Sequence, residues 1–165
     1  MAKDKMEALE TELESEFRIV SDAMKRIKGI LAQHADGKSL KGDELVGWLG
    51  EIYGKMLLDG ALVDDREEHD FVVSDGRRVS VKTRKGSNWK RSGSIPKIDG
   101  LDCPTNLMFV RLGDDYRVKS VWLYEWSELL HSGRFVSHKV RGVHRSFFFE
   151  VNEGKDLTKR IYWKG

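Results

Sequence analysis

Residues 69–83 read HDFVVSDGRRVSVKT, two runs of β-branched and aromatic residues separated by a short turn sequence. This pattern predicts a β-hairpin. A two-residue Asp-Gly turn would pair Phe71 with Ser80 and mix apolar and polar side chains on both faces. A three-residue loop that ends with Gly76 in the left-handed conformation pairs Phe71 with Val79 instead. We predict this second register, because it separates the two kinds of side chain.

The predicted register also assigns the polar face of the hairpin. Asp70 lies opposite Ser80 on that face, and Lys82 is on the diagonal from Asp70. A carboxylate, a hydroxyl and an ammonium group are therefore expected side by side. The opposite face is apolar and consists of Phe71, Val73, Val79 and Val81.

Upstream of the hairpin, residues 42–58 show helical periodicity with Gly47, Gly50 and Gly54 inside the helix. Glycine costs about 1 kcal/mol relative to alanine in a helix, so three glycines predict close approach to another backbone. Glu51 lies among them, beside an apolar neighbour, and is a candidate functional carboxylate.

The first 37 residues form a separate segment. Apolar residues recur every three or four positions from Met6 to Leu31, which predicts a long amphipathic helix that stops near Ala35-Asp36-Gly37. Such a stripe either packs on the domain or mediates dimerisation, and we expect packing. The predicted organisation is an N-terminal helical appendage, residues 1–37, followed by an α/β domain, residues 38–165.

Downstream of the hairpin, two apolar runs predict strands at residues 107–112 and 116–124, joined by a Gly-Asp-Asp turn. Residues 125–130 are expected to begin a short helix, residues 146–151 to form another strand, and residues 156–161 to add a helical turn. The expected fold class is α/β, with a mixed central sheet of about five strands flanked by helices.

Composition narrows the class of protein. The 165 residues are 39% hydrophobic with a net charge of +2, which is typical of a globular domain. No apolar run reaches the roughly 18 to 20 residues of a membrane span, and the charged N-terminus is unlike a signal peptide. The single cysteine, Cys103, excludes an internal disulfide. We therefore expect a cytoplasmic protein with no membrane partner.

Charge is unevenly distributed along the chain. Residues 59–75 carry seven acids and one base, whereas residues 76–97 carry eight bases and no acid. The segment 84–94 is basic, rich in glycine and serine, and without helical or strand periodicity, so it predicts a mobile loop. We expect this region to contact nucleic-acid phosphates through Arg84, Lys85, Trp89, Lys90, Arg91 and Lys97.

A second basic group comprises Lys139, Arg141, His144 and Arg145. The sequence alone does not place it relative to the first. Other nucleotide or hydrolase motifs are missing: there is no Walker or dinucleotide-binding glycine loop, no GxSxG elbow and no HExxH zinc pair.

The order helix, hairpin, loop, strand, strand resembles the PD-(D/E)xK nuclease superfamily, whose members are restriction-endonuclease-like. The likeness covers roughly residues 42–124 and rests on Gly47-Trp48-Leu49-Gly50-Glu51, His69-Asp70-Phe71 and Val79-Ser80-Val81-Lys82-Thr83. The resemblance implies that Glu51, Asp70 and Lys82 surround one or two divalent metal ions.

The chemistry of the resemblance is phosphodiester hydrolysis with Mg²⁺ or Mn²⁺. Carboxylate oxygens collect the metal, which lowers the pKa of a bound water. Asp70 is then the central metal ligand, Glu51 binds the metal directly or through water, and the Val81 carbonyl is a further candidate ligand. Lys82 orients the nucleophile and stabilises the transition state as a fixed positive charge.

Two residues depart from the pattern. Ser80 occupies the position where the family usually has Glu or Gln, and a hydroxyl is a poorer metal ligand than a carboxylate. Either another acid, with Glu51, Glu44, Glu68 and Glu67 nearest in sequence, supplies the missing oxygen, or the site has lost activity and the fold only binds nucleic acid. His69 replaces the usual proline before the aspartate.

The resulting expectation is a metal-dependent endonuclease that hydrolyses double-stranded DNA, of restriction or repair type, acting as a homodimer. The alternative is a catalytically inactive nucleic-acid-binding module on the same fold. A third hypothesis is a structural interaction protein that works through its N-terminal helix.

Overall fold

The computed structural model describes residues 1–42 and 44–165. The chain divides into two compact units, Met1–Asp43 and Glu44–Gly165.

The first unit is dominated by one helix, α1, Ala2–Ala32. The helix ends a turn earlier than the sequence suggested, because the next three backbone N–H groups bond to the carbonyl three residues back, as in a tightening 3-10 turn. Asp36 and Gly37 then adopt left-handed φ angles of 54° and 80°. Half of the predicted apolar stripe stays more than 50% exposed: Met6, Leu9, Phe17 and Val20.

The second unit is α/β. Its helices are α2, Leu45–Leu57, and α3, Trp126–His131, and a 3-10 helix covers Leu157–Lys159. Its strands are β1 Ala61–Leu62, β2 Phe71–Val72, β3 Arg78–Lys85, β4 Asn106–Leu112, β5 Val118–Glu125, β6 Val136–Val140, β7 Val143–Phe148 and β8 Arg160–Trp163.

Six strands form one mixed sheet in the order β1-β2-β3-β4-β5-β8, in which β3 and β4 are parallel and the other neighbours are antiparallel. This confirms the α/β class with a mixed sheet and a long N-terminal helix. Strands β1, β6 and β8 were not predicted from sequence. β1 has only two residues, while β6 and β8 are short and largely exposed, so neither shows a hydrophobic alternation.

The register predicted for the hairpin is confirmed. Phe71 pairs with Val79, and the Val73 N–H donates to the Arg77 carbonyl at 2.9 Å. Gly76 has a φ of 97°, the left-handed conformation that the three-residue loop requires.

Both faces of the sheet are covered near its centre. On one face α2 packs against β3 and β4, where a Cβ on Gly54 would lie 2.6 Å from the Met108 sulfur. On the other face an aromatic cluster surrounds Phe109 and Trp122, which are 0% and 1% exposed. Burial on both sides explains why β4 is apolar almost throughout.

Candidate active site

Asp70 is positioned by the edge of strand β3. Its backbone N–H donates to the Val79 carbonyl at 2.8 Å, and its carboxylate accepts a hydrogen bond from the Val81 N–H at 2.6 Å. The carboxylate therefore replaces a backbone carbonyl as the acceptor for the Val81 N–H, at the point where the pairing of β2 with β3 ends. One oxygen is held rigidly by the backbone, and the second is the oxygen that could contact a ligand.

Lys82 follows Val81 in strand β3. Its ammonium group donates to the Ser94 carbonyl at 2.9 Å. Burial lowers the pKa of Lys82 below its usual value, and the carboxylates of Asp70 and Glu51 partly oppose that shift. Both carboxylates are thus close enough to act on the lysine charge. The structure brings together the three residues that the resemblance singled out.

Glu51 reaches this site because helix α2 is pressed against β3. A Cβ on Gly50 would collide with the Thr83 side chain, so only glycine permits this approach. Thr83 follows Lys82 in the strand, and Glu51 follows Gly50 in the helix. The close approach predicted from the glycines is confirmed at Gly50 and Gly54, while a Cβ on Gly47 would meet nothing nearer than 3.9 Å.

Ser80 and His69 are both buried next to Asp70. Ser80 is 7% exposed and alternates with Lys82 on the same strand, so the two side chains share a face. His69 is 9% exposed, and burial lowers its pKa below the usual value. Neither side chain supplies a carboxylate in place of the acid that Ser80 replaces.

Of the acids that could compensate for Ser80, Glu51 acts on the charge of Lys82. Glu44, Glu67 and Glu68 are all exposed. Within residues 1–42 and 44–165, no group of three or more His, Cys, Asp or Glu side chains is arranged to hold a metal ion. The carboxylates available near Lys82 are therefore Asp70 and Glu51.

These residues still suit one kind of metal site. The N–H and C=O of a strand residue point towards the same neighbour, so the Val81 carbonyl faces the side of Asp70. Mg²⁺ keeps several waters and is commonly held by one or two carboxylates together with substrate phosphates. Asp70, Glu51 and the Val81 carbonyl are therefore the groups that could hold a magnesium ion, with water and phosphate as the remaining ligands.

The basic segment after β3 is not the mobile loop that the sequence suggested. Backbone hydrogen bonds tie it to the chain around β7: the Ser92 N–H donates to the Phe149 carbonyl at 2.7 Å, and Ile95 and Phe147 exchange two bonds of 2.8 Å. The Ser92 hydroxyl also accepts from the Phe149 N–H at 2.8 Å. These partners lie more than fifty residues away in sequence, and no local pattern reveals them.

The prediction that Trp89 contacts nucleic acid is wrong for this conformation. Trp89 is 4% exposed and belongs to the aromatic cluster, where it stacks on Trp122 with ring centroids 6.3 Å apart. The Arg111 guanidinium covers the ring at 4.6 Å. The indole is therefore packed in the aromatic cluster and holds the segment in place. Neither face of the ring is accessible to a nucleic-acid base.

The cations of the segment differ in their hydrogen-bond and ion-pair partners. Arg84 donates to the carbonyls of Arg91 and Ser92 at 2.8 and 3.3 Å, which braces the segment against β3. Lys90 pairs with Glu153 at 3.1 Å, and Lys85 approaches Asp114 at 4.0 Å. Arg91 and Lys97 are exposed.

An open groove of about 380 Å³ runs beside these cations. Arg84, Arg91 and Ser94 line one side, and His138 and Phe148 of the β6–β7 hairpin line the other. The Arg91 guanidinium lies 3.7 Å from the Phe148 ring and 3.4 Å from the His138 Nδ1. The groove adjoins the candidate site, because the Ser94 carbonyl accepts the Lys82 hydrogen bond.

A buried polar network elsewhere in the unit was missed at the sequence level. Asp156, 4% exposed, accepts hydrogen bonds from the Tyr124 hydroxyl at 2.8 Å, from Arg134 at 2.8 and 2.9 Å, and from the Asn152 N–H at 2.9 Å. These contacts lower the pKa of Asp156 against the effect of its burial. The sequence around Asp156, residues 152–160, is mostly polar and gives no sign of its burial.

Neither a scan against models of protein families nor a search of curated proteins found a match to this chain. Among the described residues, no helix has both the length and the apolar character that crossing a membrane requires.

Proposed function

We propose that this protein is a metal-dependent endonuclease of the PD-(D/E)xK type that hydrolyses DNA phosphodiester bonds. The observation that carries the proposal is the half-buried cluster of Lys82, Asp70 and Glu51. A lysine that is desolvated beside two carboxylates is costly for the fold. Perturbed ionisable groups of this kind concentrate at functional sites.

The fold supports the same proposal. The helix, hairpin and strand order on which the resemblance rests is present as α2, β2–β3, β4 and β5. Asp70, which immediately precedes β2, is bonded to β3, the strand that carries Lys82. We propose that the restriction-endonuclease-like fold is the correct description of the second unit.

Each residue then has a defined role. Asp70 and Glu51, with the Val81 carbonyl, would hold Mg²⁺ or Mn²⁺, which supplies charge neutralisation and an activated water when bound. Lys82 is fixed by the Ser94 carbonyl and presents a positive charge to the scissile phosphate, where negative charge grows in the transition state. Ser80 contributes a hydroxyl beside this site.

A second candidate function rests on a specific observation. Ser80 stands in place of an acid, and the described residues contain no group of three or more His, Cys, Asp or Glu side chains that could hold a metal ion. The site therefore has fewer metal ligands than the family pattern. A catalytically inactive module would keep the basic surface and bind DNA without cutting it.

The test is cleavage of plasmid and short duplex DNA with Mg²⁺ or Mn²⁺. We expect Asp70→Ala and Lys82→Ala to lower cleavage by roughly 10²- to 10³-fold, because each removes a charge used in the transition state. Asp102→Ala and Lys164→Ala, which change exposed residues of the same types, serve as matched controls and should cut like wild type.

Two outcomes would contradict the enzyme. Wild-type protein that binds DNA in a salt-dependent way but cuts neither DNA nor RNA would support the inactive module instead. Cleavage that survives in Asp70→Ala would assign the activity to another site or to a contaminant.

A further inference from the structure

We propose that the β6–β7 hairpin is an arm that grips duplex DNA beside the candidate site. This inference rests on the proposed function for its partner, DNA, and it concerns a part of the chain outside the proposed catalytic residues. The hairpin carries a positive charge. The hairpin, residues 136–148, contains three Lys and Arg residues, two histidines and no acid.

The cations of the hairpin lack compensating charges. Lys139, Arg141 and Arg145 are exposed. Within residues 1–42 and 44–165, no carboxylate lies within ion-pair distance of any of the three. Two other cations near the site are paired, Lys90 with Glu153 at 3.1 Å and Lys85 with Asp114 at 4.0 Å. Uncompensated surface cations grouped on one element suit a polyanion.

The hairpin is rooted at the candidate site. Phe147 exchanges two 2.8 Å backbone bonds with Ile95, and Ser94, the preceding residue, holds Lys82. Strand β6 runs five residues from this root, which at about 3.3 Å per residue extends the arm by roughly 13 Å. A two-stranded β-ribbon of this size fits the major groove of duplex DNA.

The tip of the arm has an unusual residue. Val140 pairs with Val143, and the two residues between them, Arg141 and Gly142, have φ angles of 52° and 78°. Two positive φ angles define a type I′ turn, whose first position favours Asn, Asp or Gly. An arginine there is strained, and strained residues cluster at functional sites.

The experiment is fluorescence anisotropy of a labelled duplex in EDTA, over about 50 to 200 mM salt, so that cleavage plays no part. We expect Lys139→Ala/Arg145→Ala to weaken binding roughly tenfold and to lower the slope of log affinity against log salt by about two. The control Arg117→Ala/Lys164→Ala removes the same two charges elsewhere on the surface and should bind like wild type.

Arg141→Asn separates binding from stability. Asparagine suits the left-handed position, so the variant should melt at the same or a higher temperature while the salt slope falls by about one. A loss of binding accompanied by a lower melting temperature would overturn the assignment of Arg141.

Equal salt slopes for the hairpin double variant and its control would overturn the proposal that the hairpin binds DNA, whether or not the protein cuts DNA. Preference of wild type for single-stranded RNA over the duplex would overturn it too. If the wild-type protein shows no cleavage but the hairpin variants bind DNA more weakly, DNA binding by the hairpin is supported and only the proposed nuclease activity is contradicted.

Discussion

Two clusters of charged side chains lie within the second unit, and they differ in how well their charges are satisfied. Asp156 accepts hydrogen bonds from Tyr124, Arg134 and the Asn152 N–H, and both of its oxygens have partners. Lys82 has one carbonyl partner at 2.9 Å, and burial disfavours its charge despite two nearby carboxylates.

The difference separates a structural cluster from a candidate catalytic one. A buried carboxylate with several fixed donors stabilises one arrangement of the chain around it. A buried ammonium whose charge is incompletely offset destabilises the fold and is ready to interact with an incoming anion. The network around Asp156 therefore explains how the end of the chain is held, while the cluster around Lys82 is where we expect chemistry.

The largest effect on stability is expected from the satisfied cluster. Asp156→Ala should lower the free energy of unfolding by about 3 kcal/mol, because it leaves the Arg134 charge and the Tyr124 hydroxyl without their partner. Chemical denaturation measures this directly. The control Asp102→Ala changes an exposed carboxylate and should leave stability unchanged. A loss below about 1 kcal/mol for Asp156→Ala would break the distinction between the clusters.

A smaller effect should follow from moving the helix that carries Glu51. The Cβ in Gly50→Ala collides with Thr83, and overpacking of this kind costs about 1–3 kcal/mol against a gain of about 1 kcal/mol in helix propensity. We expect lower stability together with reduced cleavage.

Gly47→Ala is the matched control for this change, because its Cβ would meet nothing nearer than 3.9 Å. This variant should be as stable as wild type or more stable. Equal behaviour of the two alanine variants would show that close packing of α2 on β3 does not position Glu51.

The smallest effect, and one of opposite sign, is expected for Lys82→Met. Because the pKa of Lys82 is lowered in the folded protein, the unfolded chain binds more protons between that folded pKa and about 10.5. Wild-type stability should therefore gain from Lys82 as pH rises through this window. Lys82→Met should be more stable than wild type at pH 7, with a difference that shrinks towards pH 10.

Denaturation curves at both pH values test this, with the exposed Lys164→Met as the control that should show no pH-dependent difference from wild type. Lower stability of Lys82→Met at pH 7 would mean that the lysine is a structural partner of Asp70 and Glu51. The two clusters would then be of the same kind.

Much of the candidate site could be predicted from local sequence. The alternation of residues 69–83 and the position of Gly76 were sufficient for the register that places Asp70 beside β3. Glycines at one-turn spacing indicated the contact between α2 and the sheet. Each of these signals involves residues close together in the chain, where steric and periodic rules act strongly.

The basic segment shows why other predictions failed. Its composition is that of a flexible loop, yet Trp89 is buried and residues 92–95 are bonded to the chain around β7. Composition describes only what a segment prefers when isolated, and the aromatic cluster overrides that preference by burying a large side chain.

The α/β class, the hairpin register and the residue types of the candidate site could all be predicted from the sequence, because these depend on periodicity and on glycine conformation. The tertiary structure was needed to show that Arg84 and Arg91 share a groove with the β6–β7 hairpin. It was also needed to show that Trp89 is buried and that Asp156 contacts Tyr124 across 32 positions. Such contacts join residues distant in the chain, so they depend on how the whole sheet closes its apolar faces rather than on any local pattern.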